Sequence, residues 1–454
     1  MSNTSMLIYN ARLVDRDTDC FGSVYIANGK INAMYPGLSI EKAREAVSKK
    51  KSEEQDSDFE EIDAQGAALL PSFIDLHAHF RDPGHTHKED LLSASRAAAA
   101  GGYGTVVLMA NTAPVISDTA ASQAVQARVR EIGLIEAFQA VSLTRNFDGK
   151  DTMALNDLDS SVVPIATEDG KEVESSSVML EAMKSCAKRG VIVSCHCEDP
   201  DLAHSAQRFR KSALESQNAE EVFENLAKAE KILRLAEDLM TERNLSLAAA
   251  AGCHVHIAHI STKGSLSAVR RAKKTPNLLS RVTCEVTPHH LVLTDAVPAI
   301  VNPPLRNESD RDALISGLID GTIDAIATDH APHTAEDKAS GAPGFSGIQT
   351  AFSACYTTLV CTGKIGLSKL SALMSANPAT ILGINTGLLQ EGYPADLVLV
   401  NLTKTFTVKT EDDSSWYSKG KNTLLSDVVL SGLITATFKA GRKVYPFPDW
   451  NPTA

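Results

Sequence analysis

No run of about 18 consecutive apolar residues occurs in the chain, so no membrane-spanning helix is expected. The opening residues Met1-Ser2-Asn3-Thr4-Ser5 lack the basic-then-apolar pattern of a secretory signal. Positive charge is in deficit. With 44 Lys and Arg against 56 Asp and Glu, the net charge is −12, which argues against nucleic acid or an anionic membrane as the main partner. An anionic substrate would need a local positive site. Cysteine is sparse and scattered: of eight residues only Cys195 and Cys197 are close together, and most lie inside apolar runs. That is the usage of a reduced cytoplasmic protein rather than a disulfide framework. No short-period repeat of the solenoid kind is present.

What is present is enough apolar residue, 43% of 454, for a sizeable core in more than one domain. Residues 1–70 read as short β pieces, with Asn28-Gly29 a strong hairpin signal. Residues 41–62 are highly charged and read as a solvated helix or loop. From 71 to 386 apolar runs alternate with Ala- and Leu-rich helical stretches. The expected strands are 72–79, 104–110, 135–142, 162–168, 191–197, 254–260, 282–287 and 323–328, the third being the weakest. Expected helices include 88–100, 118–132, 174–189, 220–249, 264–273 and 308–320. This alternation predicts an α/β fold, a (β/α)8 TIM barrel. β character returns over 387–454. The two chain ends have matching texture and are expected to pair into one small composite β domain.

The most informative segment is Ile74-Asp75-Leu76-His77-Ala78-His79-Phe80-Arg81-Asp82. Residues i and i+2 of a strand share a face, so His77 and His79 present two imidazoles side by side, and Arg81 continues that face as a cationic fork. Active-site residues of such barrels gather at the C-terminal ends of strands. Metal-ligand types recur there: Glu168-Asp169, His196, His259 and Asp329-His330, with His333 close behind. Four histidines and two carboxylates are too many for one catalytic ion, so two ions joined by a bridging carboxylate are expected. The nitrogen and oxygen ligand set suits Zn²⁺, with Mn²⁺, Co²⁺ or Fe²⁺ as alternatives. Strand alternation favours Asp169 over Glu168 as the bridge. His254 and His256 read as structural or supporting, Cys195 and Cys197 as packing, and His85 and His87 as solvent-facing. His289 and His290 follow strand seven with no assigned role. A paired metal site acidifies water and polarises a carbonyl, which points to hydrolysis of an amide-like bond or its reversal.

Over about residues 6–446 the chain resembles dihydroorotases of the amidohydrolase superfamily. The resemblance rests on Phe73-Ile74-Asp75-Leu76-His77-Ala78-His79-Phe80-Arg81-Asp82-Pro83-Gly84, Lys88-Glu89-Asp90, Met109-Ala110-Asn111-Thr112, Val301-Asn302-Pro303-Pro304-Leu305-Arg306 and Thr328-Asp329-His330-Ala331-Pro332-His333-Thr334. Tail segments 392–397 and 418–423 also match. The resemblance implies that His77, His79 and Asp329 hold one ion, that His196 and His259 hold the second, and that Asp169 bridges. It implies Asp329 as the catalytic proton shuttle. It also implies His79, Arg81, Asn111 and His333 around a substrate carboxylate, with Asn302, Pro343 and Gly344 at a pyrimidine ring. The implied reaction is reversible closure of N-carbamoyl-L-aspartate to L-dihydroorotate in pyrimidine synthesis. The implied enzyme is cytoplasmic, carries two Zn²⁺ per subunit and forms a homodimer. Association with an aspartate transcarbamoylase is left open.

Departures from the common pattern are Glu168 in Thr167-Glu168-Asp169-Gly170, where Asp is usual, Ala110 for a Pro and Ser72 for a Gly. Strand four, 162–168, contains no Lys that could be carboxylated to bridge the metals. That weakens the rival readings as a hydantoinase, dihydropyrimidinase or allantoinase. A non-catalytic dihydroorotase-like subunit is disfavoured because all six ligand positions are filled.

Overall fold

The structure is a computed structural model describing residues 4–447 other than 55–57, 277, 279 and 280. The chain opens with β1 (Thr4–Val14), β2 (Asp19–Ala27) and β3 (Lys30–Pro36). Ala27 pairs with Lys30 across Asn28 and Gly29, which have φ of 53° and 73°. That is the two-residue turn with both φ positive for which Asn-Gly is suited. The charged segment 41–62 divides. Ile40–Glu54 is a helix, and Asp58–Asp63 is β4, parallel to β1. The helix is not fully solvated: Ala43 and Val47 pack on Leu7, Tyr25 and Tyr35. Residues 55–57, and Met1–Asn3 of the opening, lie outside the described residues.

After β5 (Ala68–Pro71) come the barrel strands: β6 (Phe73–Ala78), β7 (Tyr103–Leu108), β8 (Glu136–Gln139), β9 (Val141–Ser142), β10 (Ile165–Thr167), β11 (Ile192–Cys195), β12 (Val255–Ile257), β13 (Val282–Val286) and β14 (Ala325–Ile326). They pair in parallel as β6-β7-β8 and β9-β10-β11-β12-β13-β14. Only Ala140 separates β8 from β9, so the weak third strand is one strand broken at its middle. The ring closes where the His79 N–H donates to His330 O at 2.8 Å and Ala78 bridges His330. The protein is therefore a (β/α)8 barrel. An inward set from several strands, including Ile74, Leu76, Val107, Ile165, Ile192 and Ala325, packs on Ala379 and Leu382 of the last helix. A larger apolar layer lies between strands and helices. Between β11 and β12 the chain forms two helices, Pro200–Glu215 and Ala219–Ala251; the sequence reading anticipated the second alone.

The C-terminal segment supplies β15 (Leu397–Thr407), β16 (Val429–Lys439) and β17 (Arg442–Tyr445). They join the first five strands in one eight-stranded sheet, ordered β17-β16-β15-β5-β1-β2-β3 with β4 beside β1. The two chain ends thus pair as their texture predicts. β5 fixes this sheet to the barrel: Leu69 packs with Leu13 and Leu397 in the small core, while Ala68 and Leu70 belong to the barrel's apolar layer. Among the described residues no helix is long and apolar enough to cross a membrane.

Candidate metal centre

The expected ligands converge at the C-terminal end of the barrel, although the backbone that brings them there is less regular than strand alternation assumes. On β6 the register advances from Asp75 to Ala78 against Val106 to Leu108 on β7. This bulge changes the parity after Leu76, which faces the apolar interior, and turns His77 toward the centre. The strand ends at Ala78, so Arg81 does not reach the site by continuing a pleat. It sits at φ 59°, and His259 and Asp329 also have left-handed φ, 31° and 46°. Side chains other than Gly, Asn and Asp seldom adopt this region, and it recurs where a site fixes the direction of a side chain.

His77 Nε2 lies 3.3 Å from Asp169 Oδ1 and 3.6 Å from Asp329 Oδ1. His79 Nε2 lies 3.1 Å from Asp329 Oδ1 and 3.5 Å from Asp169 Oδ2. Opposite them, His196 Nδ1 and His259 Nε2 face each other at 2.9 Å, and Asp169 Oδ1 is 3.5 and 3.8 Å away. Donor atoms of His77, His79 and Asp329 all lie within 4.8 Å of one another, as do those of His77, Asp169 and His259. Among the described residues, Asp169 is thus the one carboxylate that lies against both sides of the cluster. Glu168 turns away and accepts from the Thr144 N–H at 3.0 Å and from its hydroxyl.

The cluster fits a cation chemically. His77 Nε2 is buried without a hydrogen-bond partner among the described residues. Two ring nitrogens 2.9 Å apart need either a shared proton or a common cation. Burial opposes charge on His77, but Asp169, Glu285 and Asp329 outweigh it and hold the imidazole well above its usual range. His196 is raised in the same way against burial, by Asp169 and Glu198. Despite burial, the histidines draw Asp169 and Asp329 far below the usual carboxylate range. Protons on the imidazoles hold together an array of lone pairs that a divalent ion would satisfy equally well.

Beside the cluster, Arg81 donates from Nε to Pro332 O at 3.3 Å and from Nη2 to His333 Nε2 at 3.2 Å. Burial, then Arg81, Lys88 and Lys338, push His333 down to about 3, so it is a neutral acceptor toward Arg81. Asn111 joins His79 Nδ1 at 3.0 Å and donates to Asp169 Oδ2 at 3.3 Å. It therefore orients two expected ligands. Asn302 donates to Glu198 Oε2 at 3.4 Å, and its own oxygen is buried with no partner among the described residues. Gly344 has φ 146°, and a Cβ there would meet Ala331 O at 2.8 Å. Its carbonyl accepts from Lys338 and Asn422, whereas Pro343 is exposed.

Residues 68–444 match the amidohydrolase family. A dihydroorotase of Clostridium botulinum is 39% identical over 442 residues, spanning 97% of this chain and 99% of that protein. A dihydroorotase of Listeria monocytogenes is 36% identical over 455 residues, 98% of each. The chain belongs to the dihydroorotase branch of the amidohydrolase family. Among solved structures, an L-hydantoinase (dihydropyrimidinase) from Arthrobacter aurescens superposes with a TM-score of 0.82 at 22% identity, covering 98% of this chain and 96% of that one. A dihydropyrimidinase from Brevibacillus agri gives 0.80 at 20%, covering 97% and 94%. These likenesses concern the fold alone.

Glu285, Asp75 and Asn422 hold the site in place without a sequence signal of that role, whereas His254 and His256 support it as expected. Glu285 on β13 is buried between His77 Nδ1, at 3.2 Å, and His256 Nε2, at 3.0 Å; His256 in turn meets Thr283 Oγ1 at 2.8 Å. His254, just before β12, also bonds Thr283, at 3.1 Å, so it and His256 are both supporting. Asp75 accepts from the Thr328 N–H at 2.9 Å and fixes the turn before Asp329. Asn422 satisfies all four of its valences. Its oxygen accepts from the His333 N–H (2.9 Å) and Ser346 Oγ (2.7 Å), and its nitrogen donates to Ala331 O (3.1 Å) and Gly344 O (3.2 Å). Cys195 is in the barrel's apolar layer and Cys197 lies 3.6 Å from Asn244 Nδ2, both away from the centre. His87 is exposed and His85 half-buried.

Proposed function

We propose that the protein is a zinc-dependent dihydroorotase that interconverts N-carbamoyl-L-aspartate and L-dihydroorotate with two metal ions. The observation carrying this reading is the partly buried Arg81–His333 pair set against the His/Asp cluster. A permanent cation in that place suits a substrate that bears a carboxylate besides the bond being broken, which neutral hydantoin and dihydropyrimidine rings lack. In this reading His77, His79 and Asp329 hold one ion, His196 and His259 the other, and Asp169 bridges. Mn²⁺, Co²⁺ or Fe²⁺ would fit the same ligands. Bound ions would acidify a water and polarise the ring amide carbonyl.

The chain's own residues do the rest. Arg81, with Asn111 and His333, fixes the α-carboxylate so that only the side-chain carboxyl reaches the centre. Asn302 and the Pro343-Gly344 backbone contact the ring. Asp329 takes a proton from the attacking water and hands it to the leaving ring nitrogen. In the synthetic direction a carboxylate becomes a neutral amide, one proton is consumed, and lower pH favours closure. Residues 71–386 are the catalytic barrel, and 1–70 with 387–454 make the small domain. Free, mostly buried thiols support a cytoplasmic enzyme, and we expect a homodimer.

The test is a dihydroorotate hydrolysis assay on protein of measured metal content, beside hydantoin, dihydrouracil and allantoin. Turnover of dihydroorotate with zinc near two per chain is expected. Turnover of hydantoin with none of dihydroorotate would overturn the assignment.

A further inference from the structure

His289 and His290 follow β13 on the short helix Pro288–Val292, and both are almost wholly buried. Their hydrogen bonding differs completely. His290 Nδ1 meets Thr287 Oγ1 at 2.7 Å, and its Nε2 donates to Pro303 O at 3.1 Å and Pro304 O at 3.2 Å. It is fully used in holding the loop that carries Asn302. His289 has neither ring nitrogen paired among the described residues. Its ring lies 5.2 Å from that of Phe345, the residue after Gly344. Beyond its neighbour His290, the charges that act on it are those of Asp329 and His259. With the His290 ring 4.6 Å away, it stands at the loops expected at the ring, those of Asn302 and Gly344. A buried polar group with no partner in the protein calls for a partner from outside.

We propose that His289 is a substrate-contacting residue that donates one hydrogen bond to the carbonyl oxygen of the substrate's ureido group. The inference rests on the dihydroorotase reading and extends it. Elimination identifies the group. Arg81, Asn111 and His333 face the α-carboxylate, and the reacting carboxyl or amide carbonyl goes to the metal cluster. The N–C(=O)–N unit of the ring is the polar part that remains, and His289 joins Asn302 and the Pro343-Gly344 backbone there. Burial and the neighbouring His290 hold His289 well below the usual imidazole range. A neutral imidazole offers one donor and one acceptor and matches an uncharged amide edge better than a carboxylate.

The experiment compares full-length, metal-loaded wild type with His289→Phe and His289→Gln. It reads KM for both substrates, metal content, and competitive inhibition by succinate, a dicarboxylate with no ureido group. His289→Phe should raise KM for dihydroorotate and carbamoyl aspartate roughly tenfold, the effect of losing a neutral hydrogen bond. Its metal content and its succinate inhibition constant should stay at wild-type values. His289→Gln, which keeps a donor, should recover most of the loss. Unchanged KM in His289→Phe, or a succinate constant that rises in step with KM, would overturn the proposal. Should His289→Phe not fold, His289→Leu is read the same way. If the wild type opens hydantoin or dihydrouracil instead, the functional reading fails by itself. Those rings also carry the ureido unit, so the His289 variants are then scored on the ring that is turned over.

Discussion

Replacing Glu285 by Gln should weaken metal binding by roughly 10- to 100-fold while leaving the fold in place. The carboxylate is fully buried, with Oε1 3.2 Å from His77 Nδ1 and Oε2 3.0 Å from His256 Nε2. Burial opposes its ionisation, yet His256 and His77 draw it down to about 2. It is then a pure acceptor at neutral pH. His77 must carry its proton on Nδ1 and direct the Nε2 lone pair at Asp169 and Asp329, where an ion would sit. The neutral imidazole's Nδ1–H donating to a carboxylate is a hydrogen bond to a charged group, worth about 1.5–3 kcal/mol, and a loss of about 1.4–2.7 kcal/mol corresponds to the roughly 10- to 100-fold change in metal affinity. Gln has the same shape but can offer an N–H to His77 Nδ1. That favours the tautomer with the proton on Nε2, which cannot ligate. The assay is metal dissociation measured by competition with a chromophoric chelator, followed by kcat at saturating metal. Affinity should fall, and kcat should largely return once the site is full. Wild-type affinity in a folded Glu285→Gln protein would refute the tautomer argument.

Arg81→Met should lower kcat/KM for carbamoyl aspartate by roughly 10- to 100-fold, mainly through KM, because a hydrogen bond to a charged group is worth about 1.5–3 kcal/mol. An unchanged KM would remove Arg81 from the substrate site. Asp329→Ala should cut turnover by about a hundredfold to ten-thousandfold with a native circular dichroism spectrum; normal rates would end the proton-shuttle role. The response to pH should differ between metal-free and loaded protein. In the metal-free cluster His77 and His196 have raised folded values, so their stabilisation is full below the unfolded imidazole value of about 6.5 and is lost as pH rises through the folded values. Metal ligation needs the same nitrogens deprotonated and strengthens over that range. The Tm gap between loaded and chelated protein should therefore widen between about pH 6 and about pH 8. A constant gap in calorimetry would contradict this account of the cluster.

The barrel was legible because buried parallel strands are apolar runs with turn residues at their ends, and all eight appear within a few residues of expectation. Histidines and aspartates at those ends made the centre legible too. What stayed hidden depends on contacts with no local pattern. The helix Pro200–Glu215 is polar enough to pass for a linker. The bulge at His77 depends on pairing with β7, and the left-handed backbones of Arg81, His259 and Asp329 are set by their surroundings. Glu285 looks like one acidic residue in a strand until the fold sets it between His77 and His256. Asn422 lies 89 residues from His333, whose N–H it accepts, and no periodicity links the two.

Asn422 also ties the two domains together at the mouth of the barrel. The segment that secures His333 and Gly344 belongs to the small domain's half of the chain, 78 to 91 residues beyond the barrel loops it holds. It lies between β15 and β16, neighbours in the eight-stranded sheet. A change at Asn422 would therefore be felt at the loops of His333 and Gly344, four hydrogen bonds at a time, while the His/Asp cluster on the strand ends keeps its own contacts.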